Sequence, residues 1–187
     1  MEQHELLLFV VDCLDKLNIP YLITGSMASM AYGEPRFTND IDIVADVRMD
    51  QVEAMKACFP EADFYLETES MKKAIVHGQQ FNIIHPSSGL KIDVIIHHKD
   101  AFDVSRFGRA RQLHVSDTRT ANFAAPEDVI LKKMEVYQKG ESEKHLRDIA
   151  GMIKISGSQI DRTYLVSWAE KLGLLEIWRS IENTLSP

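Results

Sequence analysis

Two aspartates separated by a single isoleucine, Asp40 and Asp42, carry the plainest chemical demand in this chain. The run Ile41 to Ala45 has the residue types of a strand, whose alternation puts Asp40 and Asp42 on one face and Ile41 and Ile43 on the other. Burying the isoleucines turns both carboxylates outward side by side, where like charges repel unless a cation lies between them. Hard oxygen donors of this kind suit Mg²⁺, an ion readily shared with substrate phosphates. A third acid, Asp93, stands in the middle of LKIDVIIHH, Leu90 to His98. Acids are rare in such an apolar, β-branched run unless they have a partner. If the two runs lie side by side, Asp93 completes a triad able to hold two divalent ions, Mg²⁺ with Mn²⁺ able to substitute. Such a pair of ions activates an attacking hydroxyl and stabilises the leaving oxygen of an in-line displacement at phosphorus.

A second feature prepares for phosphate. Tyr21 to Thr24 is β-rich, Gly25-Ser26 is a turn, and Met27 to Tyr32 consists of helix formers, which together read as strand, turn, helix. The first N–H groups of that helix lack partners and favour an anion. Gly25 lets a phosphate approach the backbone with no Cβ in the way, and the Ser26 hydroxyl either caps the helix or bonds a phosphate oxygen.

The elements that must position these residues follow from periodicity and breakers. Helices are predicted over Gln3–Leu17, Asp50–Phe59 with Asp50 as N-cap, Glu69–His77 and Ala101–Arg111. A short strand is expected at Asp63–Leu66 and an edge strand at Leu113–Val115. Phe81–Ile84 and Ile92–Ile96 flank the turn Pro86-Ser87-Ser88-Gly89 and read as a hairpin with Asp93 on its second arm. Pro126 opens a regular helix that ends at Gly140, with Glu127 and Asp128 suited to its positive N-terminus. Further helices are expected over Glu143–Ile155 and, jointed at Gly173, over Asp161–Leu185. The expected fold class is α/β (α+β). A small mixed sheet flanked by helices spans 1–118, and a helical region over 119–187 completes a nucleotide cleft.

Taken together, Gly25-Ser26, Asp40-x-Asp42 and Asp93 on a later strand resemble the nucleotidyltransferase superfamily with the DNA polymerase β-like fold. The pattern GS-x-A-x-x-x-YG-x-PR-x-T-x-DIDI looks most like small prokaryotic AbiEii-type stand-alone nucleotidyltransferases, and the resemblance runs from about Pro20 to Lys154. It implies an ATP- or other NTP-binding enzyme that moves an NMP to an acceptor hydroxyl on tRNA, protein or a small molecule and releases pyrophosphate. It also implies a cytoplasmic toxin or phage-defence component with an antitoxin as partner. By position, Lys133 matches the family's helical lysine at the triphosphate. Asp148 matches an acid of the next motif, which either holds that lysine or assists proton transfer. Arg36 reads as a phosphate or acceptor contact, or equally as a brace for the Asp40-Asp42 loop. The chain departs from the pattern at Lys144-His145-Leu146-Arg147-Asp148, where many relatives have Lys-Asp-x-x-Asp, so that His145 replaces the first acid.

Composition narrows the field. With 187 residues the chain is long enough for a substantial core, and a formal net charge of −7 supplies no excess of cations for an extended nucleic-acid surface. Cys13 and Cys58 read as two unrelated thiols of a reduced, intracellular protein, and neither a signal peptide nor a membrane span is expected. Each chemical residue also has a plain structural reading. Gly25-Ser26 could be an ordinary turn and cap, Asp42 could pair with Arg36, and Asp148 could answer Lys144. Arg106, Arg109 and Arg111 read as a solvated face, and Trp168 and Trp178 as core. His97-His98 point to opposite sides of a strand and cannot share an ion. The rival reading of the whole chain is a non-catalytic module on the same fold that senses NTP or binds a partner.

Overall fold

The computed structural model describes residues 1–140 and 142–185. Within them, β1 (Tyr21–Ile23), β2 (Asp40–Ala45), β3 (Gln80–His85), β4 (Leu90–Ile96), β5 (Arg111–Ser116) and β6 (Arg119–Phe123) form one mixed sheet in the order β3-β4-β2-β1-β6-β5. β2 runs parallel to β4, β1 runs parallel to β6, and the remaining neighbours are antiparallel. The β3-β4 hairpin predicted from its Pro-Ser-Ser-Gly turn is present, with Gly89 at φ +70. The strand expected at Asp63–Leu66 reduces to one bridge between Tyr65 and Ile84.

By its contacts the chain resolves into two compact units. The first comprises Met1–Thr24 and Thr38–Phe123, and so contains the whole sheet. With the sheet go α1 (Gln3–Lys16), α3 (Val52–Cys58), α4 (Thr68–His77) and α5 (Ala101–Gly108). Apolar residues at helical spacing on α1 meet the strands' alternating ones, and Leu6, Val10, Leu14, Ile41, Ile43, Phe81 and Ile83 are all essentially inaccessible. Asp50 does not cap α3, because a 3₁₀ turn over Met49–Gln51 precedes it. There the Gln51 side chain accepts from the Arg48 N–H and donates to the Leu17 carbonyl. α5 stops at Gly108, which releases Arg111 into β5. Cys13 and Cys58 hydrogen-bond to each other; burial first, and that bond second, raise the Cys13 pKa.

The second unit comprises Gly25–Phe37 and the chain from Ala124 onward. It holds α2 (Gly25–Tyr32), α6 (Pro126–Gly140), α7 (Glu143–Ser156), α8 (Arg162–Lys171) and α9 (Leu175–Leu185). α6 is its axis, with Val129, Ile130, Leu131 and Met134 buried. Glu127 and Asp128 do more than meet a helix dipole. Both are buried: Glu127 accepts from the Asp161 N–H at 2.7 Å, and Asp128 accepts from the Tyr164 hydroxyl at 2.7 Å, so the first turn of α6 anchors the start of α8. α2 crosses α7 at glycine contact. A Cβ on Gly33 would lie 2.9 Å from the Met152 nitrogen and 2.9 Å from the Ser29 carbonyl oxygen. Tyr32 secures the same crossing, its carbonyl accepting from Ser156 Oγ at 2.6 Å and its hydroxyl donating to the Ala124 carbonyl at 3.0 Å. No helix among the described residues is long and apolar enough to cross a membrane.

The glycine crossing yields a direct test. Gly33→Ala, which must push backbone apart, is expected to lower stability by about 1–3 kcal/mol. Gly108→Ala, at a position with nothing within 4 Å, should leave stability nearly unchanged. Urea unfolding midpoints of the two variants check both expectations.

Candidate functional site

In the first unit, the parallel register places Asp42 opposite Asp93 and Asp40 opposite Lys91. Paired residues of neighbouring parallel strands share a face, and the strands are about 4.8 Å apart. Asp40, Asp42, Lys91 and Asp93 therefore project together, while Ile41, Ile43, Ile92 and Val94 point into the core. Asp40 is exposed, Asp42 half-buried and Asp93 buried. The Lys91 ammonium lies between them, with Nζ 2.9 Å from Asp93 Oδ2 and 3.7 Å from Asp40 Oδ1. The Asp93 hydrogen bond is the main reason the Lys91 pKa is raised. Burial opposes the shift, and the charges of Asp93, Asp40 and Asp42 add to it. The second oxygen of Asp93, Oδ1, is buried with no hydrogen-bond partner.

That orphaned oxygen, with three hard carboxylates on one face, fits a divalent cation by chemistry. As the side chains stand, no three His, Cys, Asp or Glu residues among those described are gathered into a metal cage. Lys91 supplies positive charge there instead. Sequence reasoning missed this residue, although the alternation that puts Asp40 beside Asp42 equally puts Lys91 beside Asp93.

The second unit holds a cluster of opposite character. Gly25 opens α2 at φ +59, a left-handed conformation that glycine adopts without steric cost. Ser26 Oγ accepts from Arg36 Nη2 at 2.6 Å. Arg36 grips Asp148 with both arms, Nε to Oδ1 at 2.8 Å and Nη2 to Oδ2 at 3.0 Å. Lys133 Nζ reaches Asp148 Oδ2 at 2.6 Å. One carboxylate thus positions two cations and, through Arg36, the serine hydroxyl. Lys132, the neighbour of Lys133, turns to Glu135 instead. Burial pushes the Asp148 pKa up, but the hydrogen bonds from Arg36 and Lys133 outweigh it and hold the carboxyl at about 2. His145 is shifted down as well, below the ordinary histidine value. Burial, then the Lys133 charge, lowers its pKa, and its Nδ1 is buried and unpartnered. An open cleft of about 350 Å³ in this unit is lined by Glu34, Arg36, Phe37, Lys144, Arg147 and Asp148.

The structure thus pairs Arg36 with Asp148 rather than with Asp42, and pairs Asp148 with Lys133 rather than with Lys144. Arg106 is not on a solvated face: it is 3 % exposed and ion-paired to Asp103 at 2.6 Å. Trp178 is core, whereas Trp168 is half-buried beneath the Lys171 ammonium, 4.6 Å from its ring centre. His97 packs on Phe107 with ring centroids 4.2 Å apart.

No family profile matches the sequence, and no curated protein matches it. Solved structures do. The chain is similar to ANT(2")-Ia in complex with adenylyl-2"-tobramycin, with a TM-score of 0.62 and 13% identity over 91% of this chain and 98% of that one. It is similar to an antigenic nucleotidyltransferase-like protein from Paracoccidioides brasiliensis, with a TM-score of 0.55 and 20% identity over 81% of this chain and 75% of that one. It is also similar to the lincosamide antibiotic adenylyltransferase LnuA, lincomycin-bound, with a TM-score of 0.51 and 12% identity over 83% and 98%. At such identities the likeness establishes the fold, and the chain has the nucleotidyltransferase fold.

Asp148 gives a pH-dependent expectation. Its carboxyl titrates near the ordinary 3.8 when unfolded and at about 2 when folded, so the stability it contributes is fully present above about pH 4 and is lost as pH falls through about 2. Asp148→Asn should cost about 1–3 kcal/mol at about pH 7, a figure that allows for the partial exposure of Arg36. The difference from wild type should shrink toward zero near pH 2. Urea melts at several pH values measure it.

Proposed function

We propose that this protein is a Mg²⁺-dependent nucleotidyltransferase that moves the NMP of an NTP to a hydroxyl of a small-molecule acceptor. The observation that carries this reading is the in-register pairing of Asp42 with Asp93, which sets three carboxylates on one face with a buried oxygen left over. Asp40, Asp42 and Asp93 would hold the ions, with Mn²⁺ able to substitute. Ions bound there would polarise the α-phosphate and acidify the attacking hydroxyl.

The chain's own groups take the remaining tasks. Asp93 Oδ1, lacking a partner, is the atom that accepts the proton of the acceptor hydroxyl. The new bond joins the acceptor oxygen to Pα as the bond from Pα to the β-phosphate oxygen breaks, and pyrophosphate departs. The negative charge developing on that leaving group needs fixed donors. Within the second unit, Asp148 holds Arg36 and Lys133, and Arg36 holds Ser26, a set of fixed donors of the kind that phosphate oxygens take.

A small acceptor is favoured over RNA by the net charge of −7, which leaves no surplus of cations to follow a phosphate backbone. Two of the fold neighbours support the same choice: LnuA is named a lincosamide antibiotic adenylyltransferase, and ANT(2")-Ia is in complex with adenylyl-2"-tobramycin. RNA ends and protein hydroxyls, including those a toxin or defence enzyme would modify, are the classes to test against it.

Asp42→Ala is expected to keep the wild-type fold and lose transfer by about 10³-fold or more. An assay of each α-labelled NTP with Mg²⁺ against small-molecule, RNA and protein pools measures it. Transfer by the variant at the wild-type rate would refute the assignment. Label appearing on RNA or protein alone would move the acceptor class.

A further inference from the structure

Lys91 is a cation on the carboxylate face, and nothing in the proposed chemistry uses it. Its ammonium touches Asp93 at 2.9 Å and lies 3.7 Å from Asp40, the space a divalent ion on these carboxylates would claim. Only about a third of the side chain is exposed. The ammonium sets its positive charge against the carboxylates of both Asp93 and Asp40.

We infer that Lys91 is a resident counter-cation of the carboxylate site, one that holds Asp93 and Asp40 ready in the metal-free protein and must withdraw when a divalent ion binds. This rests on the metal reading given above. The residue type suits the role. Lysine is a single charge on a flexible stem, so its head can swing into water while the stem stays packed. Arginine would fasten to the carboxylate with two parallel bonds and leave reluctantly. Lys91 is therefore a positioning residue, and it makes the apparent affinity for a divalent ion weaker than the bare carboxylates would give. If the ammonium vacates the site about a tenth of the time, the apparent dissociation constant is weakened about tenfold.

The consequences can be read without any turnover. Purified wild type, Lys91→Met and Lys91→Arg are titrated with Mn²⁺ alone, following the free-ion signal by electron paramagnetic resonance, and are melted in excess chelator. Lys91→Met should bind Mn²⁺ about tenfold more tightly than wild type, and Lys91→Arg more weakly. In chelator, Lys91→Met should melt about 2–4 °C or more below wild type, and Asp93→Asn added to it should recover most of the loss. Equal Mn²⁺ affinity in wild type and Lys91→Met would overturn the counter-cation while leaving the metal reading intact. Unchanged melting of Lys91→Met in chelator would overturn it as well. Absence of Mn²⁺ binding by all three proteins would reject both, leaving Lys91 as the permanent partner of Asp93.

Discussion

Parallel pairing of β2 with β4 crowds three like charges onto one face of the sheet, and that crowding is the constraint from which the chemistry follows. The opposite face holds the register. Ile41, Ile43, Ile92 and Val94 are wholly buried, and a slip of one residue would exchange them for the acids. Burying one such side chain is worth about 1.5–3 kcal/mol. A like-charge pair about 5 Å apart costs roughly 3 kcal/mol at an effective dielectric constant near 20. Four apolar side chains outweigh one such repulsion, so the sheet forms in this register. The residual repulsion is large enough to recruit positive charge, and Lys91 meets part of it.

The helical unit shows the reverse arrangement. There one carboxylate, Asp148, holds two cations, Arg36 and Lys133, and Arg36 also reaches the Ser26 hydroxyl. Its geometry depends on a backbone contact: Gly33 lies against Gly151 and Met152, three residues from Arg36 on one side and from Asp148 on the other.

Much of the fold could be read from local signals. The hairpin with Asp93 on its second arm, the proline-initiated α6 and the helix pair around Gly173 all have strong punctuation and clear periodicity. β6 was missed because RTANF is short and its alternation rests on Ala121 and Phe123 alone, with no β-branched run; it becomes a strand by pairing with β5 and β1. Asp50 looked like a cap, yet Gln51, through two hydrogen bonds of its side chain, sets the turn there instead. Arg106, Arg109 and Arg111 read as a solvated face because charged residues recur over a short stretch. Nothing local announces that Arg106 is buried against Asp103. At the candidate sites, alternation placed the acids on one face. Partner choice was invisible: that Arg36 and Lys133 both converge on Asp148 depends on residues 112 and 15 positions away in the chain.

The central claim is that Asp40, Asp42 and Asp93 form a site for divalent ions. Diffraction from crystals grown with Mn²⁺ and a non-hydrolysable NTP, recorded for anomalous signal, tests it most directly. The account predicts manganese peaks within about 2.0–2.3 Å of the carboxylate oxygens of Asp42 and Asp93, with Lys91 Nζ displaced from Asp93. A fully occupied nucleotide with no manganese at these carboxylates, or with manganese bound only elsewhere, would contradict it.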